Sequence, residues 1–220
     1  MSEENTVHGP HQGQPTLFAG EPLKTARAAM ILLHGRGASA EDILELATEF
    51  PAPGFAYLAP QAARHEWYPF SFMAPLDSNE PGLSSALAVI ASLLDQIAGA
   101  GIPAERTILL GFSQGACLLL EFAARNARRY GGIVGLSGGL IGPSGTPRDY
   151  PGSLEHTPIF LGCSDMDFHI PKARVELSAE VLQQLGGDVT LRLYPHMGHT
   201  VNRDEIRFIR EIVKAVQHQK

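Results

Sequence analysis

The chain has 220 residues, 44% of them hydrophobic and 18% charged, a composition typical of one globular domain and not of a disordered chain. Its formal net charge of −6, with no basic cluster beyond a short arginine group near residue 128, argues against nucleic acid as a partner. The two cysteines are too few for a disulfide framework. We find no secretory signal and no run of about 20 apolar residues, and therefore expect a cytoplasmic protein without stable membrane insertion.

Along the chain, we predict a flexible tail over residues 1–15 and a single domain over 16–220, because the tail shows no periodicity. Short apolar runs then alternate with segments of helical period, the pattern of a mostly parallel sheet with helices on both faces. The predicted strands are 29–33, 56–58, 107–110, 132–136, 158–161 and 189–194, with a weak strand at 16–18. The predicted helices are 40–50, 82–98, 114–128, 171–185 and 202–217.

The most specific motif is the run Gly111-Phe112-Ser113-Gln114-Gly115, which fits the G-x-S-x-G pattern of a nucleophile elbow. An elbow requires a strand before the serine and a helix after it, and Ser113 has both in the predicted elements. A second match is centred on Ser137, but the glycines and proline that follow it cannot continue as a helix. We interpret Ser137 as part of a tight turn and Ser113 as the candidate nucleophile.

A serine nucleophile needs a base, and the base needs an orienting acid. In a fold of this class the acid and then the histidine follow the serine along the chain. The loop after the last predicted strand offers His196 and His199, and we favour His199 because Gly198 lets the loop turn inward. The loop after the preceding strand offers Asp165 and Asp167. We favour Asp167, flanked by two apolar residues, and leave the choice open.

Backbone N–H groups are the expected oxyanion donors. One is the N–H of Gln114, directly after the nucleophile at a helix N-terminus. The second candidate is the N–H of Arg36, between two glycines in the loop after an early strand. The H-x-x-H spacing of His196 and His199 lacks a third ligand, so we expect no metal.

Taken together, Leu32–Gly37, Gly111–Gly115, Gly162–Pro171 and Gly198–His199 resemble the α/β-hydrolase superfamily. More narrowly, the chain resembles the phospholipase/carboxylesterase family that includes acyl-protein thioesterases. The resemblance implies an α/β-hydrolase fold and a serine hydrolase of carboxylic esters that needs no cofactor. It also implies a triad of Ser113, Asp167 and His199. In that family the acid loop commonly reads Asp-x-Asp-Pro, and Phe168 stands here in place of the proline.

An irregular, aromatic-rich segment over residues 59–81, between the predicted strand 56–58 and the predicted helix 82–98, could form a wall for the acyl or aryl group of a substrate. Its candidate substrate-binding residues are Trp67, Tyr68, Phe70, Phe72 and Met73. The alternative is ordinary packing under a long loop, or a contact between two copies in a homodimer.

We therefore predict a serine carboxylesterase for small to medium esters, with lysophospholipids or thioesters as further candidate substrates. One alternative is a catalytically silent ligand-binding protein of the same fold, and another is a lactone or peptide hydrolase. The predicted partner is a small-molecule ester. The sequence does not decide between a monomer and a homodimer.

Overall fold

A computed structural model describes residues 9–218, which build on a seven-stranded sheet in the order β1-β3-β2-β4-β5-β6-β7. Strand β1 runs antiparallel to β3, whereas the pairs from β3 to β7 are parallel. The prediction of a mostly parallel sheet is therefore confirmed. The strands are β1 (Thr16–Gly20), β2 (Ala28–Leu33), β3 (Phe55–Pro60), β4 (Thr107–Phe112), β5 (Gly132–Leu136), β6 (Pro158–Ser164) and β7 (Asp188–Tyr194).

Within residues 9–218, five α-helices cover the two faces of the sheet, as the sequence pattern predicts. They are α1 (Ala40–Ala47), α2 (Gly82–Gly99), α3 (Gln114–Arg125), α4 (Lys172–Gln184) and α5 (Arg203–Gln217). Helices α1 and α5 pack on one face, and α2, α3 and α4 pack on the other. Helix α3 ends before the predicted residue 128, because the side chain of Asn126 donates to the carbonyl of Phe122 and ends the helix there.

Strand β2 shows why a continuous apolar run marks a central strand. Ile31 and Leu33 belong to the core on the α2 side, and Met30 and Leu32 belong to the core on the α1 side. All four side chains are fully buried, and each such burial contributes about 1.5–3 kcal/mol. The strand is apolar at every position because both of its faces are covered.

The register of the parallel strands brings several carboxyl ends to the same edge of the sheet. Leu33 lies opposite Gly111, and Phe112 lies opposite Leu136. Farther along, Leu136 pairs with Gly162. The loops that follow β2, β4, β5, β6 and β7 therefore leave at one edge, where open α/β sheets bind their ligands.

Residues 9–15, which belong to the predicted flexible tail, contact the rest of the domain. Residues 10–13 form a turn, and His11 within it is buried. Its Nε2–H donates to the carbonyl of Trp67 at 2.8 Å, and its Nδ1 accepts the N–H of Ala63 at 3.1 Å. Residues 1–8 of the predicted tail lie outside the described part of the chain. A segment without hydrophobic periodicity can still pack against the domain when one of its polar side chains, here that of His11, binds the backbone of a loop.

Helix α2 differs from the expectation that the chain has no long apolar run. By length and composition it is apolar enough to cross a membrane, whereas the sequence pattern predicts no such segment. In the fold, Leu83, Ile90 and Leu94 of this helix belong to the hydrophobic core beside the sheet. A core helix meets the same criteria, so this feature is weak evidence for a membrane span.

Candidate active site

Ser113 lies on the sharp turn between β4 and α3 that the motif predicts. Its backbone has φ 54° and ψ −119°, a conformation that an L-residue adopts only under strain. The flanking glycines make this turn sterically feasible. A Cβ on Gly111 would lie 2.5 Å from the carbonyl oxygen of Gly115, and a Cβ on Gly115 would lie 2.3 Å from that of Leu33. Any larger residue at either position would push the elbow apart.

The structure brings together the three side chains of the predicted triad from three separate loops. The hydroxyl of Ser113 donates to Nε2 of His199 at 2.8 Å, although 86 residues separate them in the chain. Nδ1–H of His199 donates to Oδ2 of Asp167 at 2.7 Å. A hydroxyl bound to an imidazole whose second nitrogen faces a carboxylate is the arrangement that activates serine as a nucleophile.

Asp167, and not Asp165, faces the histidine. The side chain of Asp167 is 0% exposed, and its Oδ1 accepts the N–H groups of His169 at 2.8 Å and Ile170 at 3.1 Å. Asp165 instead accepts the N–H of His196 at 3.0 Å and so holds the histidine loop. The two candidate aspartates therefore have different partners, the His199 side chain for Asp167 and the backbone of the histidine loop for Asp165.

Burial raises the pKa of the Asp167 carboxyl, but its hydrogen bonds from His199, His169 and Ile170 outweigh burial and hold the pKa below its usual value. The carboxyl is therefore ionised at neutral pH and acts only as an acceptor. An acceptor at this position keeps the proton of the neutral imidazole on Nδ1 and leaves Nε2 free to accept the serine proton.

The loop after β2 passes directly beside Ser113. A Cβ built on Gly35 would lie 3.3 Å from Cβ of Ser113, so the N–H of Arg36, the next residue, belongs to backbone that borders the Ser113 side chain. Gln114 is the first residue of α3, where the N–H has no acceptor within the helix. These are the two N–H groups that the sequence predicts as oxyanion donors.

The side chains of the two residues predicted as backbone donors, Arg36 and Gln114, hold the wall of the site. The guanidinium of Arg36 donates to the carbonyls of Tyr68 at 2.7 Å and Phe70 at 2.8 Å, and pairs with Glu66. The amide of Gln114 donates to the carbonyl of Tyr68 at 2.8 Å. Both side chains therefore tie the aromatic segment to the two backbone stretches that carry the predicted oxyanion donors. In the sequence, the only indication of this role was the charged side chain of an arginine between two glycines.

A cleft of about 360 Å³ opens over Ser113. Of the predicted substrate wall, Tyr68, Phe70 and Phe72 line it, together with Cys117, which lies one turn after Ser113 on α3. The structure places the two other predicted wall residues elsewhere.

Trp67 is 0% exposed and lies behind the wall, where its indole N–H donates to the carbonyl of His34 at 2.9 Å. Met73 is half-buried and packs against the hydrophobic core. Aromatic and apolar composition marks this segment as buried, but composition does not say which side chains face the cleft.

His169, in the loop after β6, also lines the cleft. Its ring is exposed and lies edge-on to that of His199, with centroids 4.9 Å apart. The sequence could have predicted this location from the position of His169 two residues after Asp167. The backbone that binds the carboxylate also directs the His169 side chain toward the triad.

Comparisons with known proteins show the family of this chain. The family model described as Phospholipase/Carboxylesterase matches residues 17–217. A phospholipase/carboxylesterase of Dyadobacter fermentans is 40% identical and superimposes with a TM-score of 0.89, covering 94% of this chain and 99% of its own. A probable carboxylesterase of Oryza sativa is 26% identical over 96% of this chain and 89% of its own. Acyl-protein thioesterase 1 of Gibberella zeae is 36% identical, but the match spans 52% of this chain and 50% of that protein. The chain therefore belongs to the phospholipase/carboxylesterase family and is an ester hydrolase.

Proposed function

We propose that this protein is a serine carboxylesterase that cleaves small to medium carboxylic esters through an acyl-enzyme. The observation that carries the proposal is the continuous pair of hydrogen bonds from Ser113 to His199 and from His199 to Asp167, at 2.8 and 2.7 Å. In this proposal Ser113 is the nucleophile, His199 is the general base and acid, and Asp167 orients the imidazole.

In the first half of the reaction, Oγ of Ser113 attacks the ester carbonyl while its proton moves to Nε2 of His199. The negative charge that develops on the carbonyl oxygen is bound by the N–H groups of Gln114 and Arg36. Each such donor contributes a factor on the order of 10² to 10³ in rate. His199 then returns the proton to the leaving alcohol, and the acyl group remains on the serine.

In the second half, a water molecule gives a proton to Nε2 of His199 and attacks the acyl carbon. The same N–H groups bind the second oxyanion. Collapse of that intermediate releases the carboxylic acid and restores the serine hydroxyl with the proton from His199.

The size of the cleft supports short and medium acyl groups. At about 360 Å³ the cleft lies near the lower end of the range for small-molecule sites, about 300–1,000 Å³. A short or medium ester fits between the aromatic wall and the triad, whereas a long acyl chain extends beyond the cleft. Thioesters fit the same chemistry, and the similarity to an acyl-protein thioesterase supports including them among the substrates.

The test is hydrolysis of p-nitrophenyl esters from two to sixteen carbons, with a thioester, a lactone and an amide in the same panel. We expect the highest kcat/KM for short or medium chains, because burial in the cleft stabilises the transition state only for the atoms it encloses. Ser113→Ala should abolish the activity, and Ser84→Ala, at an exposed serine on α2, is the matched control. Turnover retained by Ser113→Ala contradicts the proposal, and binding of esters without turnover favours a silent binding protein.

A further inference from the structure

The cysteine at the end of β6 contacts the triad from behind. Cys163 is 0% exposed, and its thiol lies 3.8 Å from Oδ2 of Asp167, the oxygen that also accepts the Nδ1–H of His199. The thiol must be the donor, because an ionised carboxylate only accepts. Burial, together with the nearby Asp167 charge, raises the pKa of the thiol to about 12, so it keeps its proton at neutral pH.

A serine that the catalytic assignment leaves unused lies behind this cysteine. Ser137, the centre of the second G-x-S-x-G match, follows β5 with φ 49° and donates its N–H to the carbonyl of Gly162 at 2.7 Å. Its hydroxyl is buried and has no hydrogen-bond partner among residues 9–218. Leu136 pairs with Gly162 between β5 and β6, so the residues that follow them, Ser137 and Cys163, lie side by side.

We propose that Cys163 and Ser137 extend the triad by two positioning residues, with the Cys163 thiol donating to Asp167 and the Ser137 hydroxyl orienting that thiol. This inference rests on the proposed esterase mechanism. It gives the second serine motif a role at the site without making it a nucleophile.

The physical consequence concerns the basicity of His199. With Cys163 included, Asp167 receives four hydrogen bonds, two on each oxygen. A thiol is a weak donor, yet in a buried site it takes up part of the carboxylate charge that otherwise stabilises the imidazolium of His199. Removing the thiol therefore strengthens the attraction between Asp167 and protonated His199, and loosens one side of the carboxylate.

Other titratable groups face the same region. The His169 ring contacts that of His199 from the acid loop, and the Glu205 carboxyl faces Cys163 from the first turn of α5. Both remain unchanged in the variants proposed below, so the comparison between variants removes their contribution.

The first test is Cys163→Ala, measured as the pH profiles of kcat and kcat/KM with a short p-nitrophenyl ester. We expect kcat to fall about threefold to tenfold, the effect of losing one modest hydrogen bond, with an unchanged KM. The acid limb of kcat/KM should move to higher pH by several tenths of a unit. Thr107→Ala, a buried truncation at the opposite end of the sheet, should lower stability without moving the limb.

The second test is a double-mutant cycle with Ser137→Ala. If the hydroxyl acts through the thiol, Ser137→Ala moves the acid limb upward in the wild-type protein and has no further effect in the Cys163→Ala background. An unmoved limb in folded Cys163→Ala overturns the inference. An equal effect of Ser137→Ala in both backgrounds overturns the part assigned to Ser137.

If Cys163→Ala does not fold, the proton resonance of His199 Nδ1 provides the readout. It should lie farther downfield in Ser137→Ala than in the wild type, and an identical resonance contradicts the inference. These outcomes are distinct from failure of the esterase proposal itself, which would show as hydrolysis that survives Ser113→Ala.

Discussion

Replacing Glu205 with glutamine should remove a pH-dependent loss of stability. Glu205 is 0% exposed, and its Oε2 accepts the N–H of Asn202 at 2.8 Å. Its Oε1 has no hydrogen-bond partner within the described part of the chain and packs against Gly162, where a Cβ would lie only 2.2 Å away. Burial raises the pKa of this carboxyl from 4.5 to about 7.

The sign of the effect follows from proton binding. Between pH 4.5 and about 7 the folded protein retains a proton on Glu205 that the unfolded chain has lost, so the free energy of unfolding falls as the pH rises. The stabilisation is complete below pH 4.5 and is lost as the pH passes about 7. At about 1.36 kcal/mol for each pH unit, this change corresponds to about 3 kcal/mol.

Glu205→Gln retains the capping acceptor at the third position of α5 but carries no charge. Urea unfolding at pH 5, 6, 7 and 8 measures the free energy of unfolding of both proteins. We expect the variant to gain about 2–3 kcal/mol relative to the wild type between pH 5 and pH 8. Burial lowers the pKa values of His11 and His34, which makes the free energy of unfolding rise with pH. The wild type and the variant share this contribution, so it cancels when their free energies of unfolding are subtracted.

The matched control is Glu45→Gln, at an exposed glutamate on α1. Its free energy of unfolding should stay within about 0.5 kcal/mol of the wild type at each pH. Parallel stability curves for the wild type and Glu205→Gln would refute the reasoning, because they would show that Glu205 titrates alike in the folded and unfolded states.

Three further predictions concern the site. Asp167→Asn should lower kcat by about 10³ to 10⁴, because an amide holds the imidazole in the wrong tautomer; steady-state kinetics measures this, and a loss below about tenfold would argue against the assigned role. Gly115→Ala should lower the free energy of unfolding by about 2–4 kcal/mol, because its Cβ meets the Leu33 carbonyl at 2.3 Å; an unchanged urea midpoint would contradict this. Arg36→Met keeps the backbone N–H but removes the bonds to Tyr68 and Phe70, so kcat/KM should fall about tenfold or more; wild-type kinetics would show that the wall holds its place without them.

The sequence alone was enough to locate the sheet, its helices and the elbow at Ser113. These features depend on local rules: apolar periodicity reports which faces are buried, and two glycines beside a serine report a turn that no bulkier residue tolerates. The placement of His199 followed from chain order, since the loop after the last parallel strand must leave at the same edge as the elbow.

Only the tertiary structure placed Asp167, and not Asp165, against the histidine, and only it showed that Trp67 is buried while Phe70 lines the cleft. It also showed that His11 packs against a distant loop. In an irregular segment, neighbouring residues are of similar type and show no hydrophobic periodicity. The directions of their side chains therefore depend on contacts with backbone that is distant in the sequence. Local sequence encodes burial and turn geometry, but it does not encode which distant carbonyl or N–H a loop side chain meets.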